Sequence, residues 1–439
     1  MPHVAWSGFG AVAEVIRILE NWRQSGFDAA RLAYIATFGD LDLQSNSSSP
    51  LLEELRLRLL GASGPRLLVD AIWLSRPHGG ITRVWETVLG CWTLPGLVTD
   101  QCPVCFIDRE SCLSVSEPFL SLTAPAMDPL DYGRLQEVAQ HNSRLVGQWS
   151  VDVFLSSWIT SSSPEQPRCP EICLVHDCIP ERSSTTTAEE RRLRDRWLLG
   201  ASNHLAVSAA TAGDLAQLLA RSAAAMPWCH PSTAHVFRLS ERPTDPAWLQ
   251  SRFGLPKRFV LMPASGKVGS YKNPEVVLQA FTDPSLQDLP LVVFGPEAQR
   301  CAALFEQRWP QLKTRLFPAS FTDLDLALAY QEAVAVVIPS RMEGFGLPVL
   351  EVLASGGCLI TSDAKALREA AGGAALQFPM DSPQELLRLI HVLNDLDTGP
   401  WLAGHLQRRT QHRLRDVNAD LLGLALLALA RQASRPRGD

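Results

Sequence analysis

The chain has 439 residues, 46% of them hydrophobic and 20% charged, which is ordinary for a folded protein and long enough for two hydrophobic cores. Its formal net charge of −6 excludes nucleic acid as the main partner, because a phosphate backbone demands a basic surface. No uninterrupted apolar run approaches the roughly 20 residues needed to span a bilayer, and nothing in the balance of charges indicates peripheral membrane contact.

The N-terminal stretch MPHVAWSGFG has neither the charged nor the apolar segment of a secretory signal, so a cytoplasmic location is expected. The ten cysteines are then read as reduced thiols. Cys102 and Cys105 form a C-x-x-C without a second tight pair at matching spacing, and no metal is expected. Helical spacing covers 14–22 and 28–38, the polar break QSNSSSP follows, and a third helix starts at Leu51. Residues 1–65 are therefore read as an N-terminal helical extension. Apolar runs at 66–74, 104–107, 151–155, 172–175 and 205–207 read as buried strands, separated by segments with helical spacing. Thr187 and Glu190 stand at capping-box spacing. Beyond them, Arg191, Arg192, Arg194 and Arg196 interleave with acids and read as a solvated helix face. The polar, proline-bearing segment 240–256 reads as a hinge. The pattern restarts with runs at 259–262, 291–294, 333–338 and 358–361, and ends on an apolar stretch, 421–430, that reads as a packed helix.

Strands alternating with helices imply parallel sheets covered on both faces. The fold class is thus α/β, with two Rossmann-like domains at 66–245 and 246–415. A C-terminal helix, 416–432, is expected to pack back on the first domain.

The most informative segment is 333–361, AVAVVIPSRMEGFGLPVLEVLASGGCLIT. A buried strand ends at Pro339, and a short loop follows with Glu343, Gly344, Phe345 and Gly346. Pro348 suits a first helical turn, where its missing N–H costs nothing. Glycines let backbone amides approach a ligand closely, and a helix N-terminus presents partial positive charge to an anion. Glu351 is expected in the first turn of that helix, where a carboxylate can accept bonds from vicinal hydroxyls.

E-G-F-G-L-P-x-x-E resembles the E-x7-E motif of the family 4 glycosyltransferases, which are retaining enzymes of the GT-B fold. The text from TSDAKALREAAGG onward is similar to that family's continuation. The resemblance implies two domains whose sheets face across a cleft, with Glu343 at the transferred sugar and Glu351 on the donor ribose. It implies that the Gly344–Gly346 loop lines the sugar and diphosphate. FVLMPASGKVGSYKNPEVVLQAF resembles the segment in which two basic residues neutralise the diphosphate. Lys272 matches the second. Lys267 stands where many relatives carry an arginine, and a lysine lacks that planar fork. FPASFTDLDLALAYQEA resembles the nucleobase segment, placing Ala319 and Ser320 near the base. RPHGGITRVWE resembles a segment whose glycine pair, here Gly79 and Gly80, approaches the diphosphate from the first domain. LVHDCIPE is similar to a strand end whose histidine, here His176, lies close to the donor sugar.

The implied reaction moves a hexosyl group from a UDP- or GDP-sugar to a glycan or other hydroxyl acceptor, in polysaccharide biosynthesis, with retention and with neither metal nor other cofactor. The D-L-D triplets at Asp40, Asp323 and Asp395 lie in the extension, at a helix start and after a helix, where a metal-binding D-x-D is not expected. Two alternatives stay open: a transferase-like binding protein that has lost turnover, and another GT-B enzyme such as a sugar-nucleotide epimerase. Sugar, base, acceptor, linkage and oligomeric state are not legible.

Overall fold

The computed structural model describes residues 11–41, 49–76, 79–111, 117–183, 186–237, 247–264, 268–415 and 417–435. Two units emerge, one of residues 1–232 with 418–439 and one of residues 233–417.

The first unit is built on β1 (Leu67–Asp70), β2 (Val104–Asp108), β3 (Leu120–Thr123), β4 (Val153–Ser156), β5 (Glu171–Val175) and β6 (Asn203–Ala206). They form one sheet in the order β3-β2-β1-β4-β5-β6, parallel throughout. β1 and β4 are buried at every position, as expected of strands covered on both faces, whereas edge strand β3 is largely exposed. The apolar run at 66–74 is not one strand. It leaves the sheet after Asp70 and closes into a 3-10 turn, Ile72–Ser75.

Helices Ala11–Ser25, Phe27–Phe38 and Pro50–Leu59 belong to this unit and pack on one another. The last helix, Leu421–Ala433, is apolar all round, and every residue from 422 to 430 is buried. It packs against Pro50–Leu59 and against the helix Gly80–Trp92. Gly423 allows the closest approach: a Cβ there would come within 2.6 Å of the Cys91 Cβ. The Trp92 indole N–H donates to the Gly423 carbonyl at 2.9 Å. Glu54, almost fully buried, pairs with Arg58 at 2.6 Å and with Arg431 from the last helix. Arg23 pairs with Asp420 at the start of that helix.

The second unit is built on β7 (Val260–Pro263), β8 (Leu291–Phe294), β9 (Leu316–Ala319), β10 (Ala335–Ile338), β11 (Leu359–Ser362) and β12 (Leu376–Phe378). Its order is β12-β11-β10-β7-β8-β9, again all parallel. Val260, Met262, Val293, Val337 and Ile360 anchor a core between sheet and helices. The chain enters this unit at Thr233, ahead of the boundary expected at 245, because Phe237 is buried and its ring lies 6.1 Å from that of Tyr330. Of the expected hinge, 240–246 lies outside the described residues, and Ala247–Phe253 is a helix with Leu249 buried. Among the described residues no helix is long and apolar enough to cross a membrane.

Candidate functional site

In both sheets the direction of strand addition reverses once. β2 and β3 are laid on one side of β1 before β4 returns to the other, and β8 and β9 precede β10 in the same way around β7. At such a point the loops leaving adjacent carboxyl ends diverge and open a crevice lined by both. In the second unit the loop after β7 carries Lys272 and the loop after β10 carries Glu343.

These two side chains meet. Lys272 Nζ donates to Glu343 Oε1 at 2.7 Å, with the side chains 24% and 16% exposed. The same ammonium stands 5.1 Å from the centroid of the Tyr271 ring, close enough for a cation–π contact. The main chains are joined as well, since the Arg341 N–H donates to the Tyr271 carbonyl at 2.7 Å. A partly exposed ion pair contributes only about 0–1 kcal/mol, so the pairing places charge more than it stabilises the fold.

Gly346 caps the following helix, Leu347–Ala354, with φ +99°, and a Cβ there would stand 2.8 Å from Leu367 Cδ2. Backbone conformation and packing both demand glycine at this point. Gly344 and Phe345 are buried beside it. Because the helix starts only at Leu347, its first turn contains no acid and Glu351 falls in the second, one turn further in than expected. Glu351 is 3% exposed, and one carboxylate oxygen accepts the Tyr330 hydroxyl at 3.2 Å. Tyr330, buried on the helix Asp323–Glu332, is a contact that residue spacing did not single out. Ala319 is the buried last residue of β9, and Ser320 follows it, exposed. Lys267 lies outside the described residues. The D-L-D at Asp323 is a helix start capped by Thr322, and Asp325 accepts the Trp248 indole N–H at 3.1 Å, so that carboxylate has a structural use.

In the first unit, Gly79 has φ +135° and caps the helix Gly80–Trp92; both glycines are exposed. His176 directly follows β5 and is half-buried. Burial, with a smaller push from the Arg194 cation, lowers its imidazole to about 3. The neutral ring this favours at pH 7 can donate one hydrogen bond and accept another. Its loop is clamped by arginines expected on a solvated face. Arg194 is buried, pairs with Glu181 and donates to the Asp177 carbonyl at 2.9 Å. Arg191 donates to the carbonyls of Glu181 and Ser183 at 3.0 Å each. Alternation of charge does not show that the loop after β5 supplies carbonyls for the inward side of this helix. At the helix start, Thr187 Oγ1 accepts the Glu190 N–H at 3.1 Å.

Residues 250–395 match the family described as "Glycosyl transferases group 1". This segment is a group 1 glycosyl transferase domain. It contains Lys272, Ala319, Ser320, Glu343 and Glu351; Gly79, Gly80 and His176 lie outside it. A curated relative, "D-inositol 3-phosphate glycosyltransferase" of Streptomyces bingchenggensis, is 28% identical over 211 residues, which cover 44% of this chain and 45% of the relative. "Serotype-specific mannosyltransferase WbdA" of Escherichia coli is 29% identical over 149 residues, 32% of this chain and 18% of the relative. The matched stretches thus span less than half the length of these relatives. Among solved structures, Anabaena Alr3699/HepE in complex with UDP and glucose superposes with a TM-score of 0.61 at 16% identity, covering 83% of this chain and 98% of that one. WaaG, a glycosyltransferase involved in lipopolysaccharide biosynthesis, does so with a TM-score of 0.62 at 14% identity, covering 79% and 95%. With its group 1 domain and two six-stranded parallel sheets, the chain has the GT-B fold.

Proposed function

We propose that this chain is a retaining glycosyltransferase that moves a hexosyl group from a UDP- or GDP-sugar to a glycan or other hydroxyl acceptor. The observation that carries the reading is the Lys272–Glu343 pair, set where the strand order of the group 1 domain reverses. A diphosphate would draw the Lys272 ammonium toward itself and leave the Glu343 carboxylate to accept bonds from sugar hydroxyls. As the sugar leaves, negative charge grows on the β-phosphate, and a fixed ammonium with the amides of the Gly344–Gly346 loop would stabilise it. Lys267 keeps its proposed place as a second cation. Glu351 would accept the ribose hydroxyls, and Ala319 and Ser320 would border the base.

The acceptor oxygen would attack on the face the diphosphate leaves, without a protein nucleophile or a metal. The roles that the resemblance gives the first unit remain part of the proposal: glycine amides of Gly79 and Gly80 for the diphosphate, and the neutral imidazole of His176 as a hydrogen-bond partner for the sugar. Support comes from the names of the relatives, which include an inositol phosphate glycosyltransferase and mannosyltransferases, and from the UDP and glucose held by a protein of the same fold.

Turnover of the donor provides the test. Glu343→Gln and Lys272→Ala should each lower it by about tenfold or more with the thermal midpoint unchanged, as expected for groups that act on developing charge. Turnover near wild type in both variants would remove the assignment.

A further inference from the structure

Asn273, the residue after Lys272, is 1% exposed and has φ 52° and ψ 44°. This left-handed conformation is one that asparagine tolerates better than other residues with a side chain, glycine apart. It caps the helix Pro274–Ala280, yet its side chain makes no capping bond to that helix. Pro274, at the helix start, lacks an N–H. The carboxamide is directed elsewhere. Nδ2 donates to the Pro339 carbonyl at 3.2 Å and to the Met380 carbonyl at 2.7 Å, while Oδ1 is buried with no hydrogen-bond partner among the described residues.

Pro339 is the first residue beyond β10, at the base of the loop that carries Glu343, and Met380 lies just beyond β12. One amide nitrogen therefore ties the backbone next to Lys272 to two other loops at the carboxyl end of the sheet. Two carbonyl acceptors require two N–H donors on one atom, which asparagine supplies and aspartate cannot. A buried polar oxygen left unbonded costs free energy that a merely space-filling residue would not incur.

We propose that Asn273 is a positioning residue: it sets the distance between Lys272 and Glu343 by fastening the loop after β7 to the loop after β10. The inference rests on the reading of Lys272 and Glu343 as donor-site groups. It predicts that Asn273 acts on turnover through Lys272.

A double-mutant cycle tests this. Asn273→Gly keeps the left-handed backbone and removes both bonds, and Asn273→Asp keeps size and backbone tolerance while replacing the donor with an acceptor. Each should lower kcat/KM by about tenfold in the wild-type background, at temperatures where unfolding curves show the protein folded. In the Lys272→Ala background the same changes should lower it by less than about threefold, because the geometry they disturb has already lost its cation. Equal losses in both backgrounds, or wild-type kcat/KM in the Asn273 variants, would overturn the positioning role. If Lys272→Ala itself retains wild-type turnover, the donor-site reading fails instead, and the two failures are told apart by that single variant.

Discussion

Lys272 and Glu343 hold opposite charges 2.7 Å apart, and neither side chain is fully withdrawn from solvent. Arg341, Tyr271 and Asn273 fix the two loops behind them, so the pair is held by backbone geometry rather than by its own weak attraction. Glu351 differs in kind, being buried with one oxygen on the Tyr330 hydroxyl. Tyr330→Phe should leave the fold intact and weaken binding of the nucleoside diphosphate by about two- to tenfold, about 0.5–1.5 kcal/mol for one lost hydrogen bond, measured by calorimetric titration. His176 offers a separate handle. Its folded-state imidazole titrates near 3, below the unfolded value near 6.5, so the unfolded chain binds the extra proton first. The stability this group contributes is present above about pH 6.5 and is lost as pH falls toward 3. The stability of wild type minus that of His176→Asn, from urea unfolding, should therefore shrink between pH 7.5 and pH 5. A constant or growing difference would contradict the burial of a neutral ring.

The elements carry the site by the way they end. β10 stops at Ile338, and Gly346, at φ +99°, starts the next helix against Leu367. Gly346→Ala combines a strained backbone with a contact of only 2.8 Å to Leu367 Cδ2 and should cost about 2–3 kcal/mol by chemical unfolding; a change within 0.5 kcal/mol would mean the loop shifts freely. Strands buried on both faces were legible as continuous apolar runs, as β2, β5, β8 and β10 demonstrate. The strands missed were β3, β9 and β12, all at sheet edges. β3 is mostly exposed, β12 has only three residues, and β9 contains Pro318, which an edge tolerates because no ladder hydrogen bond is required of it on the open side. The glycine loop and its glutamates could be read locally. The meeting of Lys272 with Glu343 depends on β7 and β10 being neighbours, which follows from topology, and the contact of Tyr330 with Glu351 depends on how one helix docks. Neither is written in a local spacing. The arginines at 191 and 194 were misplaced for the same reason, since their partners are carbonyls and a carboxylate from the segment 177–183, which includes the short helix Ile179–Arg182.

At the scale of the whole molecule, the chain leaves the first unit at Ser232 and returns to it at Asn418, so the last helix belongs to the unit of the first sheet. Glu54 fastens that return, bridging Arg58 of its own helix and Arg431 of the last one. Glu54→Ala would leave Arg58 buried without its carboxylate and should lower stability by about 3–5 kcal/mol in chemical unfolding, the range for breaking a buried ion pair from one side. A loss below 1 kcal/mol would show that apolar packing alone holds the last helix. The GT-B fold itself hosts many chemistries, so the proposed function depends on Lys272 and Glu343 at the carboxyl ends of β7 and β10. Its most direct test is a thermal-shift series with UDP, GDP, ADP and their common sugar conjugates on wild type and on Lys272→Ala. A ligand at 100 times its Kd stabilises by about 2.7 kcal/mol, a rise of several degrees. One base should raise the midpoint of the wild type by that amount, with the rise mostly lost in Lys272→Ala. No shift with any member of the series, or an equal shift in the variant, would contradict a donor site built on Lys272 and Glu343.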